Sequence, residues 1–167
     1  SYDREVGSNE YDVYFTLQQK WGNFVFKPGI RMEYEKVWNN ISGYEISEHE
    51  KDYLNWRPSI HLSYRTKSMH NFSLSYSRRI APPSARDLTN YKFYSTESFS
   101  TGNLELVPTY TNSIEGGWTK YWERFGSLGL TAYYRDSKNT VDNISDVILD
   151  DYFGRYVQYS YPVNVGR

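Results

Sequence analysis

The chain has 167 residues, and although 38% count as hydrophobic, 18 residues are tyrosine and only three are alanine, a balance that suits pleated strands and excludes a helical bundle. Nineteen basic and twenty acidic residues leave a net charge of −1, which argues against a nucleic-acid partner, and the absence of cysteine excludes disulfides, thiolate metal sites and a cysteine nucleophile. No stretch approaches the roughly 18 apolar residues of a spanning helix, which excludes a helical anchor and leaves a membrane β-barrel open, because barrel strands are apolar on one face only.

Taken in order, the segments alternate with a period of two. Residues 11–19 set Val13, Phe15 and Leu17 on one face. Residues 24–35 are the clearest case, with Phe24, Phe26, Pro28, Ile30, Met32 and Tyr34 opposing Val25, Lys27, Gly29, Arg31, Glu33 and Glu35. The pattern returns at 54–65, where Leu54, Trp56, Pro58, Ile60, Leu62 and Tyr64 oppose Asn55, Arg57, Ser59, His61, Ser63 and Arg65. Phe72, Leu74 and Tyr76 alternate with serines. Weaker strands follow at 110–123 and 127–135, and 156–165 reads as a seventh, with Tyr159, Tyr161, Val163 and Val165 on one side. Proline cannot donate to a ladder, so Pro28 and Pro58 predict a strand start or a bulge.

Two features separate this pattern from a soluble sandwich. Residues 24–34 at about 3.3 Å each span roughly 36 Å, which at a 45° tilt rises about 25 Å, the height of a bilayer's apolar band. The connections also alternate strictly, short at 20–23, 67–70 and 124–126 and long at 36–53, 80–109 and 136–155. A meander built this way has every short turn at one end and every long loop at the other, as outer-membrane barrels do. Trp21, Tyr121 and Trp122 flank short turns, while Tyr34, Trp38 and Trp56 lie toward the long loops, where interfacial aromatic girdles belong. The fold class is therefore all-β, an antiparallel up-and-down meander of about seven long strands of the kind that builds a transmembrane β-barrel.

Three stretches carry a family likeness: NWRPSIHLSY from Asn55, SLSYSRRIAPPSARDL from Ser73 and STGNLELVPTYTNSIEGGW from Ser100. Arg79, Pro83 and Ser84 match an Arg-x-x-Pro-Ser type segment. Gly102, Asn103, Leu106, Pro108, Asn112, Ser113 and Glu115 match a Gly-Asn-Pro-x-Leu-Lys-Pro-Glu type return followed by Asn-Ser and Glu, with Leu104, Val107 and Thr109 in place of the usual Pro, Lys and Glu. With these motifs the chain, over about residues 11–167, resembles the barrel of TonB-dependent outer-membrane receptors, in particular the barrel family abundant in Bacteroidetes. The resemblance implies a fragment of a larger barrel in the cell outer membrane, without a plug domain. It implies a role in uptake of a scarce nutrient such as a metal chelate or glycan. It also implies membrane lipid as a partner, with a plug domain and TonB as partners in the full-length protein. An isolated piece of this kind is expected to self-associate through its open strand edges. Alternative readings are a secreted soluble β-sheet module that binds carbohydrate, and a lipocalin-like carrier.

Candidate ligand contacts lie in the long segment 80–109, where Arg86, Asp87, Tyr91 and Tyr94 combine charges with stacking rings. Arg31, Glu33, Arg57, His61 and Arg65, interleaved with Ser and Gly on the polar face, are candidate lumen-facing residues. His49, His61 and His70 have no metal-ligand spacing. The carboxylates near His49 (Glu45, Glu48, Glu50, Asp52) and those at Asp142, Asp146, Asp150 and Asp151 read as solvated loops rather than cation sites. No Ser/His/Asp order, phosphate-cradling Gly loop or dinucleotide fingerprint occurs, so neither catalysis nor a cofactor is expected.

Overall fold

The computed structural model describes residues 3–42, 47–84, 86–88, 92–95, 98–150 and 154–166. Among them the alternating sequence folds into strands and no helix. Along the chain these are β1 (Asp3–Thr16), β2 (Gln19–Trp21), β3 (Phe24–Ser42), β4 (Ser47–Arg65), β5 (His70–Ala81), β6 (Phe93–Tyr94) and β7 (Ser98–Ser100). They continue with β8 (Thr109–Trp122), β9 (Gly126–Lys138), β10 (Thr140–Asp150) and β11 (Arg155–Val165). The main sheet is an antiparallel meander in the order β1-β3-β4-β5-β8-β9, with β2 also paired to β3. A second sheet, β10-β11-β7-β6, contains one parallel pairing, between β11 and β7.

The short turns all fall at one end. Gly22 (φ 57°) and Asn23 join Trp21 to Phe24, and Gly supplies the left-handed conformation of this two-residue connection without a Cβ clash. At the next turn Met69 takes φ 60°, held by its amide donating to Thr66 O (3.2 Å) while the His70 amide donates to Thr66 Oγ1 (3.0 Å). Gly126 (φ 86°) closes the third.

Neither proline marks a strand start or a bulge, contrary to the sequence expectation. β3 and β4 keep one register from Phe24 opposite Tyr64 to Ile41 opposite Ser47, straight through Pro28 and Pro58. Each proline instead interrupts pairing on its other side. The Leu17 amide donates to Pro28 O (3.1 Å) and Pro28 has no N–H to return, which splits one edge strand into β1 and β2 in a common register. Backbone polar groups alternate direction along a strand, so the donor that Pro58 lacks would point at β5, and there the β4–β5 ladder ends, at Ser59 opposite Ser77. Above this point β4 and β5 part.

Two long connections expected from the sequence are ladder instead. Residues 36–42 and 47–53 extend the β3–β4 hairpin beyond the apolar band, with Lys36 and Glu50 ion-paired across it. Residues 136–150 finish β9 and form β10. Residues 156–165, expected as a seventh spanning strand, lie in β11 and pair with β10 and β7 in the second sheet rather than with the main sheet. Alternation reports a strand with two unlike faces and carries no information about which sheet receives it. The hairpin leaves the wall at Asn139 (φ 54°), whose amide donates to Gly166 O (2.7 Å). It therefore stands at the long-loop end.

The even-numbered side chains of β3, β4, β5 and β8 share one apolar face. Phe24, Phe26, Ile30, Met32, Trp56, Ile60, Leu62, Phe72 and Leu74 all lie on it, and Trp56 and Leu74 are about half exposed at 51% and 49%. Trp21 stacks on Phe24 (centroids 6.1 Å) and Trp118 Nε1 donates to His70 Nδ1 (3.1 Å) near the short turns. Tyr11 and Tyr34 meet (6.4 Å) toward the other end. The buried cluster is elsewhere: Val37 and Tyr53 on the opposite face of the wall pack against Leu88 and Leu106 from the segment between β5 and β8.

Candidate functional site

The polar face of the wall is assembled from odd positions of β3 and β4 and even positions of β1. Register places Arg31 opposite Arg57, Glu33 opposite Asn55, and Lys27 opposite His61. Two guanidiniums this close need carboxylates between them. Arg57 Nη2 donates to Glu33 Oε1 (2.5 Å) and to Ile80 O (2.9 Å), while Arg31 Nε donates to Asp12 Oδ1 (3.0 Å), its Nη2 bonds the other Asp12 oxygen, and Glu10 lies 3.9 Å away. The predicted lumen-facing residues thus share one face, and Arg31, Glu33 and Arg57 lie in a network of adjacent ion pairs, Arg31 with Asp12 and Arg57 with Glu33. His61 and Arg65 stand apart. His61 lines a shallow cleft with Lys27, Gly29, Ser59 and Ser75, and Arg65 is exposed beside a short turn.

Glu10 and Asp12 belong to this network and were not singled out in the sequence, although Glu10, Asp12 and Tyr14 alternate with Tyr11, Val13 and Phe15 and so announce a polar face. Their carboxylates and that of Glu33 come within 4.8 Å of one another. The two arginines between them account for the cluster as a salt-bridge network. Glu33 (1% exposed) and Asn55 (3%) are buried, and Glu33 Oε2, Tyr53 Oη, Asn55 Nδ2 and Arg57 Nε have no hydrogen-bond partner among the described residues.

Above this floor the β5–β8 connection and the β10–β11 hairpin fuse into a cap. Lys51 Nζ donates to Leu104 O (3.1 Å) and Leu106 O (2.7 Å), tying the connection to the wall. Asn164 ties it to the hairpin by imitating a strand: the Val107 amide donates to Asn164 Oδ1 (2.9 Å) and Asn164 Nδ2 donates to Val107 O (3.0 Å). Asn103 Nδ2 donates to Pro162 O (3.1 Å) and the Thr101 amide to Ser160 O (3.1 Å). A ring ladder Tyr94–Phe99–Tyr159–Tyr161, with successive centroids 5.3, 4.7 and 5.0 Å apart, runs across the second sheet. Burial raises the Tyr159 phenol above its ordinary value, and neighbouring Tyr161 adds to the effect.

Of the predicted ligand contacts, Arg86 and Asp87 line one polar cleft of about 250 Å³ with Ser100, Thr101, Asn143 and Ser160. Asp87 also accepts from Ser84 Oγ (2.6 Å). Tyr94, 49% exposed, stands at the end of the ring ladder, outside that cleft, and Tyr91 lies outside the described residues.

Comparison with solved structures finds the same architecture in much larger chains. The Serratia marcescens hemophore receptor HasR, solved as a double mutant with its hemophore HasA and heme, matches at a TM-score of 0.76 and 13% identity, over 95% of this chain and 30% of HasR. The siderophore receptor PirA of Pseudomonas aeruginosa matches at 0.69 and 15%, over 98% of this chain and 38% of PirA. At these identities the likeness establishes the fold, and the chain spans between 30% and 38% of the length of these receptors. A search of curated proteins finds no match. The model of the outer membrane protein beta-barrel family, in contrast, matches residues 3–167. Long antiparallel strands with an exposed apolar face, girdled by aromatics, agree with that match, and the chain belongs to the outer membrane protein β-barrel family and resides in the outer membrane.

Proposed function

We propose that the chain forms part of the barrel wall and external cap of a TonB-dependent receptor that takes up a scarce nutrient, a metal chelate or a glycan, with a plug domain and TonB as its partners in the full-length protein. The observation that carries this reading is the cap itself. Two connections from one end of the wall are fused to each other and closed over its charged face, an arrangement that serves capture and admission of a solute. In this reading the face bearing Arg31, Glu33, Arg57, His61 and Arg65 lines the lumen, the opposite face meets lipid, and selectivity resides in the cap. The role requires binding and passage, and no bond is made or broken by the chain.

The test is made in the full-length receptor. Replacing Arg86, Asp87, Tyr91 and Tyr94 together with Ala is expected to lower uptake of the native nutrient at unchanged abundance in the outer membrane. Unchanged uptake would remove these residues from the binding surface.

A further inference from the structure

We propose that residues 101–108 form a latch, held at Lys51, which keeps the cap down over a polar floor whose buried groups are better solvated when the latch lifts. The contacts on β4 show the floor being covered. Lys51 is bound to the carbonyls of Leu104 and Leu106, Tyr53 packs against Leu88 and Leu106, and Arg57 is bound to Ile80 O. Asn55 lies between these contacts, and Glu33 is its cross-strand partner. In this stretch Glu33 Oε2, Tyr53 Oη, Asn55 Nδ2 and Arg57 Nε are buried without a hydrogen-bond partner among the described residues. Removing a polar atom from water without a partner opposes closure.

The terms that hold the latch down are local and few. Leu106 is fully buried among Val37, Tyr53 and Leu88, and Lys51 supplies two charge-assisted bonds. Favourable apolar burial at the latch is thus set against unfavourable polar burial beneath it, which lowers the cost of lifting a latch that rests closed. The β10–β11 hairpin moves with the latch, because Asn164 and Pro162 bind it to Val107 and Asn103.

The absence of cysteine from this sequence allows a clean probe. Val37→Cys places a thiol of nearly the same size under Leu106, and Val107→Cys places one at an exposed control position, 42% accessible. In purified receptor in detergent, maleimide should modify the Val37→Cys thiol far more slowly than the Val107→Cys thiol. Adding Lys51→Met should speed modification at position 37 by about tenfold or more, since two bonds to a charged donor outweigh the 1.4 kcal/mol that a factor of ten represents. Lys51→Arg should restore the slow rate. Asn55→Leu should slow modification further, because it removes an unpartnered donor from the floor, a sign opposite to ordinary structural damage.

Equal rates at positions 37 and 107, no response to Lys51→Met, or faster modification with Asn55→Leu would each overturn the latch. The proposal takes the long-loop end to face the cell exterior, as in the function proposed above. Failure of an impermeant maleimide to reach the Val107→Cys thiol on intact cells would overturn that orientation, and the rates in detergent would still decide the latch.

Discussion

Arg57 and Ile60 sit three residues apart on β4 and face opposite ways, so charge is required at one and excluded at the other. Arg57 neutralises Glu33, which is almost wholly buried. Arg57→Met strands that carboxylate, and the cost is expected at about 3 kcal/mol, the low end for breaking a buried pair, because Arg31 lies nearby. Ile60→Arg is expected to cost about 2–4 kcal/mol on the lipid-facing side, since Ile60 lies midway along the apolar run of β4. Denaturant midpoints in detergent would measure both. Gly7 makes a different demand. The Trp38 indole lies where a Cβ would be, so Gly7→Ala must displace the ring and should raise its solvent exposure, readable as a red shift and stronger quenching of its fluorescence. The charged wall was largely legible in the sequence because alternation assigns faces: Arg31, Glu33 and Arg57 were found that way. Asn55 was assigned to the same face, and its burial was not visible, because alternation assigns a side chain to a face and carries no information about what covers that face.

At the scale of elements, alternation identified strands and misjudged where they go. β3 and β4 continue past the membrane band because a hairpin ladder already in register needs no apolar face to extend, only tolerated side chains such as the Lys36–Glu50 pair. β10 does not announce itself, because Asp142, Asn143, Ser145 and Asp146 look like loop, yet the strand that contains them pairs along the whole of β11. The junction of hairpin and latch rests on one side chain. Asn164→Ala removes both bonds to Val107, and the Val107 amide should lose protection from hydrogen exchange while amides within β3 keep theirs. The cap should also respond to alkali. The Tyr159 phenol is raised in the folded protein, so its contribution to stability is fully present below the ordinary tyrosine pKa of roughly 10 and is lost as pH rises through the folded value. The protection factor at Thr101, whose amide bonds Ser160 O, should fall in that range once the base-catalysed rise of intrinsic exchange is divided out, and Tyr159→Phe should flatten the response.

On the scale of the whole molecule, the main sheet has two free margins among the described residues. β1 and β2 form one and β9 the other, and the solved receptors of the same fold are roughly three times as long as the stretch matched here. Along β9 the side chains from Gly126 to Arg135 are all exposed, including Leu128, Leu130 and Tyr134 on the apolar face. An apolar face of this extent, open at both edges, exceeds what soluble monomers carry, and unpaired edge groups invite a further strand. The cap offers no cover for it, because Leu88 and Leu106 pack on the opposite, charged side. The 167-residue chain taken alone is therefore expected to associate, through its edges or face to face, and to disperse only in detergent. Light scattering of the purified chain checks this: mass well above one copy in buffer, falling to a single chain with bound detergent, is the expected result. A compact monomer in buffer would mean that the apolar face is covered by the chain itself, which the arrangement of these strands does not permit.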